Sequence, residues 1–178
     1  MRKIIFSIAL VVGILAFVAC DKYVPGGTAT QNVAGEWWVQ FEAESSTGTW
    51  SDIYGIGHVV IDTYNTADNS PSEMWINDNG KTWNFKVKIP ADPLHYKFGV
   101  TTDLKAPVFT AKDSVTNAIT NYPIKVVVFN GQVFPGEGHS KSGVKTDSIQ
   151  FYVTFEDDPG TIYRIAGVKR TGFPEDEY

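Results

Sequence analysis

The strongest constraint on the fold is an alternation of apolar and polar residues with a period of two. It is clearest between Asp147 and Glu156, where the odd-numbered positions from 149 to 155 carry Ile, Phe, Val and Phe. A period of two places successive side chains on opposite faces of a strand, whereas an amphipathic helix needs a period of 3.6. The alternation recurs along most of the chain after Val33, without a long amphipathic helix or an internal repeat. The pattern predicts an all-β domain.

Turn residues divide this pattern into eight predicted strands. Asp78-Asn79-Gly80 and Asp157-Asp158-Pro159-Gly160 are typical of tight turns, because Gly tolerates positive φ and Pro has a fixed φ. Pro90 is expected to end a strand, since it has no backbone N–H. The predicted strands are Glu36 to Glu44, Ile53 to Thr63, Glu73 to Asn77, Trp83 to Ile89, Leu94 to Thr101, Ile124 to Asn130, Asp147 to Glu156 and Thr161 to Arg170.

Eight antiparallel strands can close as an up-and-down barrel or stack as a sandwich. We favour the eight-stranded antiparallel barrel, because closure removes exposed strand edges. Such a barrel has room for its own side chains or for one small ligand. The long connection from Thr102 to Asn121 is predicted to hold a short strand at Val108 to Ala111 and a helical turn at Thr116 to Thr120, and it is a candidate lid.

The N-terminus has the layout of a lipoprotein signal. Arg2 and Lys3 precede an apolar run from Ile4 to Ala19, which ends at Cys20, the single Cys of the chain. The run is shorter than the roughly 20 residues of a membrane-spanning helix, and a basic start before an apolar run is typical of a signal peptide. Because Phe17 to Cys20 resembles a bacterial lipobox, we expect Cys20 to be acylated. It would anchor the protein in the bacterial cell envelope, at the outer membrane or the cell surface.

The expected organisation is a signal peptide at residues 1–19, a flexible tether at 20–33, a barrel at 34–173 and an acidic tail at 174–178. The net charge of −5 offers no attraction to nucleic-acid phosphates. Acylation of Cys20 would leave no free thiol for catalysis, zinc binding or a disulfide. We expect a monomer without a metal or other cofactor.

Few residues suggest catalysis. His58 and Asp62 could form an oriented pair on one strand face, with Ser51 or Thr63 nearby, but the same alternation fits a polar, solvent-facing row. Of the remaining histidines, His95 is expected to be exposed. His139 is expected in a flexible Gly-rich loop.

Gly35-Glu36-Trp37 resembles the G-x-W signature of lipocalins and the wider calycin group. In calycins the Trp closes one end of the barrel, often under a cationic side chain. The resemblance therefore implies that Trp37 and Arg170 form such a pair.

A closer resemblance covers nearly the whole mature chain. It is carried by the lipobox and by Ala34 to Trp38, Asp147 to Phe151, Asp157 to Gly160 and Arg170 to Phe173, which are similar to a family of Bacteroidetes lipoproteins. That family is described as calycin-like, lipid-binding putative hydrolases. The resemblance implies a lipocalin-like barrel with an apolar cavity, anchored in a cell envelope. In the same bacterial group, Asp113-Ser114-Val115 resembles an O-glycosylation acceptor.

The leading hypothesis is an envelope protein whose barrel binds a small apolar or amphipathic ligand. The alternatives are a hydrolase acting on a lipid or ester, for which His58 and Asp62 are the only pair to nominate, and a ligand-free interaction module of the envelope. The volume left inside the barrel discriminates between these hypotheses. The inward rows predicted to line a pocket contain Phe85, Val87, Tyr96, Phe98, Phe151 and Val153.

Overall fold

The computed structural model describes residues 26–46, 48–103 and 112–178. These residues form ten strands and three 3₁₀ helices, at Gln31–Val33, Pro93–His95 and Pro174–Asp176. No helix among them is long and apolar enough to cross a membrane. The strands are β1 (Gly35–Ser46), β2 (Thr49–Ser51), β3 (Val59–Asn65), β4 (Glu73–Asn77), β5 (Lys86–Asp92), β6 (Lys97–Phe98), β7 (Val115–Thr116), β8 (Lys125–His139), β9 (Lys145–Phe155) and β10 (Asp158–Lys169).

Eight of these strands form a closed antiparallel barrel, in the order β1, β3, β4, β5, β6, β8, β9 and β10. The last strand pairs with the first, with Trp37 opposite Lys169 and Ala43 opposite Tyr163. The two remaining strands extend the sheet, β2 beside β1 and β7 beside β8. The predicted eight-stranded up-and-down barrel is therefore confirmed.

The pairing register distinguishes two ends of the barrel. The closed end is the end where β1 begins at Gly35 and β10 finishes at Lys169. The helix Gln31–Val33 crosses it, in contact with β3, β8 and the helix Pro93–His95. The mouth is the opposite end, where β4 turns into β5 and β9 turns into β10.

Alternation along the strands fills the interior with apolar side chains. Each large apolar side chain removed from water stabilises the fold by roughly 1.5–3 kcal/mol, so these rows hold the barrel together. The fully buried members include Trp37, Phe41, Ile61, Met74, Ile76, Phe85, Val87, Phe151, Val153, Phe155, Tyr163 and Ile165.

Two predicted strands begin later than expected, because a carboxylate takes the backbone N–H groups that a ladder would use. Asp52 accepts hydrogen bonds from the N–H groups of Ile56 and Gly57, which keeps this segment as a loop before β3 begins at Val59. Asp78 accepts from the N–H groups of residues 84 and 85 in the same way, so β5 begins at Lys86 and not at Trp83.

The strand predicted from Leu94 to Thr101 is wrong for most of its length. Pro93 begins a 3₁₀ turn, Tyr96 has a φ of 58°, and only Lys97–Phe98 remain as β6. Pro90 does not end β5, since the strand continues to Asp92 while the Pro90 carbonyl accepts a hydrogen bond from Gly99 N–H.

The later connections also differ from their predictions. The predicted helical turn from Thr116 is absent, because β7 includes Thr116 and pairs it with Lys125. The predicted strand Val108 to Ala111 lies outside the described residues. The β9–β10 turn is formed by residues 156 and 157, and Asp158 already pairs with Phe155. β8 extends to His139, which is therefore an exposed strand residue and not part of a loop.

Both terminal segments of the described chain pack on the closed end. Ala29 N–H donates to the Asn69 side chain at 2.8 Å, and Thr30 is fully buried. The folded domain therefore begins before the boundary expected at position 33. Asp176 is also buried and accepts a hydrogen bond from Ser142 N–H at 2.8 Å. The acidic tail is consequently part of the domain.

Candidate functional site: the aromatic mouth

Five aromatic side chains form a layered cluster at the mouth, here called the aromatic mouth. Its members pack closely, with ring centroids 4.6 Å apart for Phe41 and Tyr163 and 5.0 Å apart for Trp83 and Phe155. Phe41, Phe155 and Tyr163 are fully buried, Trp83 is half-buried, and Tyr54 is 51% exposed. The cluster thus presents aromatic surface to solvent above buried rings.

The strands supply the base of this cluster and the loops supply its exposed part. Phe41 lies on β1, Tyr163 on the neighbouring β10 and Phe155 at the end of β9. Tyr54 lies on the β2–β3 loop and Trp83 on the β4–β5 loop. Because the exposed rings come from loops, their position depends on how firmly those loops are held.

One buried carboxylate organises the loop that carries Trp83. Asp78 is fully buried and accepts hydrogen bonds from the backbone N–H groups of residues 80, 82, 84 and 85 and from the Thr82 hydroxyl. Hydrogen bonds to a charged acceptor are roughly twice as strong as neutral ones. The side chain therefore fixes the loop and, with it, the position of the indole.

The β2–β3 loop has a similar but weaker arrangement. Asp52 accepts hydrogen bonds from Gly57 N–H at 2.7 Å and Ile56 N–H at 3.0 Å. These backbone donors, with Gly57 the strongest, hold the pKa of Asp52 below its ordinary value. Asp52 is only half-buried, so solvent competes for its oxygen atoms and the loop is less tightly held than that of Trp83.

Two further carboxylates border the aromatic mouth. Asp157 accepts hydrogen bonds from Trp83 Nε1 at 3.2 Å and from the Tyr122 hydroxyl. Asp158 accepts one from the Tyr163 hydroxyl at 2.5 Å, and the Tyr163 hydroxyl also lies 2.9 Å from that of Tyr54. The rings therefore carry a polar edge of phenols and carboxylates.

The environment of the phenols keeps them neutral. Burial and the hydrogen bond to Asp157 raise the pKa of Tyr122 to about 12. Burial and the hydrogen bond to Asp158 raise the pKa of Tyr163 far above its ordinary value. At neutral pH these hydroxyls are hydrogen-bond donors and not nucleophiles.

The mouth is acidic as a whole. Its described loops and strand ends carry four basic side chains, Lys81, Lys86, Lys112 and Lys125. Their eight acidic side chains are Glu44, Asp52, Asp78, Asp103, Asp113, Glu156, Asp157 and Asp158. A negatively charged group brought to this end of the barrel would be repelled.

The predicted pocket-lining residues face the interior, where they pack against other side chains. Phe98 and Phe151 meet edge to face with centroids 5.5 Å apart, and Phe85 meets Phe155 in the same way at 5.5 Å. Val87 and Val153 are fully buried in the same core, whereas Tyr96 is half-buried on the turn before β6. Side chains therefore fill the interior at these positions, and a role in ligand contact stays a prediction.

The predicted catalytic pair is not assembled in the structure. The His58 ring stacks on Tyr178 with centroids 3.9 Å apart, whereas Asp62 accepts a hydrogen bond from Asn79 at 3.0 Å. The Thr63 hydroxyl is engaged with the Val33 carbonyl at 2.7 Å. Among the described residues, no group of three or more His, Cys, Asp or Glu could hold a metal ion.

The closed end contains the expected Trp under a cation, but the cation is a different residue. Trp37 is fully buried, its Nε1 donates to Thr63 Oγ1 at 2.8 Å, and the Lys169 ammonium lies 5.6 Å from its ring centre. Arg170 instead pairs with Glu177 and Glu36. The assignment of Arg170 is wrong because successive residues of β10 face opposite sides, so Lys169 shares the inward face with Ile165.

The first residue of the Gly-x-Trp motif leaves room for this arrangement. A Cβ atom at Gly35 would lie 3.0 Å from Cε of Lys169 and 3.5 Å from the Trp37 ring. A larger residue at this position would displace the lysine stem from the indole.

A surface cleft of about 350 Å³ lies where β5, β6 and β8 meet, apart from the aromatic mouth. Its polar lining includes Asp92, Lys97, Thr101, Asn130 and Gln132. Pro90, Ala91 and Phe98 supply apolar surface to the same cleft, so its lining is mixed. The other predicted sites lie elsewhere: Ser114 is half-buried before β7, and Cys20 lies outside the described residues.

With this geometry established, comparison with known proteins identifies the family. The family described as lipid-binding putative hydrolase matches residues 22–174. The chain belongs to this family. No curated protein matches the chain. Membership of a lipid-binding family, together with the barrel fold, supports a lipid-binding function.

Sequence reasoning missed the residues that build the aromatic mouth. The alternation predicts Tyr54 and Trp83 within strands, and the turn motifs indicate only turns at Asp78 and Asp157. The sequence does carry one usable signal for Lys169, since it lies four residues after Ile165 and so shares its strand face. Tyr122 has no comparable signal, because its contact with Asp157 joins positions 35 residues apart.

Proposed function

We propose that this protein is an envelope lipoprotein that binds one small amphipathic lipid at the aromatic mouth. The observation that carries the proposal is the exposed aromatic surface of Tyr54 and Trp83 above the buried rings of Phe41, Phe155 and Tyr163. The family supports a lipid as the ligand, and the barrel supplies a rigid frame.

The apolar part of the ligand lies against the exposed rings. Tyr and Trp combine a large apolar surface with a polar handle, so they suit a ligand that has one apolar and one polar end. The indole N–H of Trp83 donates to Asp157, and the hydroxyl of Tyr163 donates to Asp158. Because these polar atoms have partners in the protein, the ring faces are left for the ligand.

The polar part of the ligand lies beside these carboxylates. A carboxylate has about four acceptor sites, and Asp157 receives two hydrogen bonds from side chains in the structure. The acidic surroundings disfavour an anionic head and favour a cationic or hydroxylated one. The ligand class is therefore an amphiphile with an amine, quaternary ammonium or hydroxyl head, and not a free fatty acid.

The test compares two probes of equal chain length, dodecyltrimethylammonium and dodecanoate, each kept below its micelle concentration. Binding to the full protein is measured by the change in Trp fluorescence and by calorimetry. We expect the cationic probe to bind at least about tenfold more tightly, which corresponds to about 1.4 kcal/mol. Equal binding of the two probes would contradict the proposed head group, and binding of neither would contradict the site.

Matched variants locate the site. Trp83→Ala and Asp157→Asn should weaken binding of the cationic probe by about tenfold or more. Trp75→Ala is the control, since Trp75 is also half-buried but lies on the outer wall near Lys86. An equal loss in the control variant would place the probe outside the mouth.

The anchor is tested separately. Labelling with a palmitate analogue should mark the wild-type protein, and Cys20→Ser should abolish the label. Persistent labelling of the variant would show that Cys20 is not the acylated residue.

A further inference from the structure

We propose that the closed end of the barrel rests on the membrane surface, so that the aromatic mouth points away from the bilayer. The occupant of this surface is the lipid bilayer that holds the protein's own anchor. The inference rests on the acylation of Cys20 under the proposed function, and it adds an orientation that acylation alone does not determine.

Three exposed apolar side chains project from separate segments of the closed end. Leu94 is 84% exposed on the β5–β6 connection, Val144 is 50% exposed on the β8–β9 turn, and Phe173 is 56% exposed after β10. A single exposed apolar residue is ordinary on a protein surface. Three on separate segments of the same end supply apolar contacts suited to the boundary between headgroups and acyl chains.

Hydrogen bonds hold these side chains in place. Leu94 lies in the helix Pro93–His95, whose first carbonyl accepts a hydrogen bond from the Asn32 side chain at 3.2 Å. The turn that carries Val144 closes through its N–H to Ser140 Oγ at 3.1 Å. The apolar contacts are therefore presented by ordered turns, and binding to a membrane would require little further ordering.

The turn of Val144 and the segment of Phe173 are also joined to each other. Ser142 N–H donates to Asp176, and the Lys141 ammonium donates to the Glu177 carbonyl at 2.6 Å. Since Asp176 lies in the helix that follows Phe173, the two apolar side chains belong to one bonded unit.

The length and attachment of the tether select this end. The folded chain begins at the closed end, where Ala29 bonds to Asn69 and the helix Gln31–Val33 crosses the barrel. Asp21 to Thr28 is eight residues, which reach at most about 28 Å when fully extended. A strand as long as β1, with 12 residues, spans about 40 Å along its own direction. Placing the mouth on the bilayer would require the tether to run the length of the barrel.

Site-directed spin labelling of the full acylated protein tests this orientation. Because the single native Cys is the acylated residue, a Cys introduced at another position is the only free thiol. Leu94→Cys and Phe173→Cys report on the closed end. Ile53→Cys is the matched control, since Ile53 is a 53% exposed aliphatic residue on a mouth loop. Each labelled protein is reconstituted into vesicles of phosphatidylethanolamine and phosphatidylglycerol.

We expect labels at positions 94 and 173 to collide several-fold more with oxygen, and several-fold less with a water-soluble nickel chelate, than the label at position 53. Binding of dodecyltrimethylammonium at the mouth should stay at the wild-type level in the variants at positions 94 and 173, which lie at the other end of the barrel. A label at position 53 that enters the lipid, or labels at 94 and 173 that stay in water, would overturn the orientation.

Mass spectrometry separates the two ways of failing. A chain without the acyl mass would overturn the anchor and this orientation together. An acylated protein that floats with the vesicles, with its closed-end labels in water, would overturn the orientation alone and leave the proposed function standing.

Discussion

Different interactions cover the two ends of the barrel. At the closed end, Trp37 is covered by Lys169 and hydrogen-bonded to Thr63, while both terminal segments pack over the opening. At the mouth, rings from two loops stay partly exposed, and their polar atoms meet Asp157 and the neighbouring carboxylate. One end therefore buries its Trp completely, and the other keeps aromatic surface accessible.

The largest predicted effect contrasts one Trp at each end. Trp37→Ala should lower the free energy of unfolding by about 3–5 kcal/mol, because it removes a fully buried indole and leaves a cavity. Trp83→Ala removes a half-buried ring and should cost about 1–2 kcal/mol while weakening binding at the mouth. Urea unfolding followed by circular dichroism measures both. Equal destabilisation by the two substitutions would contradict the prediction that the Trp of the closed end contributes more to stability than the Trp of the mouth.

The second prediction compares the two loops within the mouth. Asp78→Ala should lower the free energy of unfolding by about 2–3 kcal/mol, because backbone N–H groups beside a fully buried side chain lose their acceptor. Asp52→Ala, which removes two backbone hydrogen bonds in a half-buried loop, should cost about 1 kcal/mol. The midpoint of urea unfolding reports both values. A smaller loss for Asp78 would show that solvent replaces its hydrogen bonds.

The fold was predictable from local pattern, whereas the site was not. Alternation in β9 and β10 gives the inward faces, and the short turn between them makes the two strands antiparallel. The errors at Trp83 and Pro93 have a different origin, because a side-chain carboxylate or a proline-initiated turn overrides a local strand preference. Alternation says nothing about which backbone donors a distant or buried carboxylate will take.

The cation that covers Trp37 can be identified from the alternation of inward and outward residues along β10. Arg170 and Lys169 are adjacent, so composition does not distinguish them. Counting positions along β10 from the buried Tyr163 and Ile165 places Lys169 on the inward face and Arg170 outside. The aromatic mouth offers no such count, since its exposed rings lie on loops.

The third prediction tests this assignment. Lys169→Met keeps the apolar stem but removes the ammonium over Trp37, so it should cost about 0.5–1 kcal/mol and shift the Trp37 indole N–H signal in a nitrogen–proton correlation spectrum. Trp37→Phe assigns that signal. Arg170→Met should leave the Trp37 signal in place and shift the Tyr178 signals instead, because Arg170 holds the adjacent Glu177. The opposite pattern would restore Arg170 as the covering cation.

The smallest predicted effect is that acid and alkali weaken opposite ends of the barrel. Hydrogen bonds from Thr171 and then Ser142 hold the pKa of Asp176 far below its ordinary value. Its contribution to stability is therefore present above the ordinary Asp pKa of about 3.9 and is lost as the pH falls below it. The acid decline in the urea midpoint should be shallower in Asp176→Asn. If the urea midpoint of Asp176→Asn fell with acid as steeply as that of the wild type, Asp176 would not be the source of the decline.

At the mouth the sign is reversed, because burial and Asp157 raise the pKa of Tyr122 to about 12. Between the unfolded value of about 10 and this folded value, the unfolded chain loses its proton while the folded chain keeps it, so stability falls as the pH rises. Tyr122→Phe should flatten this alkaline decline and leave the acid decline of the closed end unchanged, as urea midpoints across both pH ranges would show. If Tyr122→Phe altered the acid decline instead, the two ends would not titrate independently.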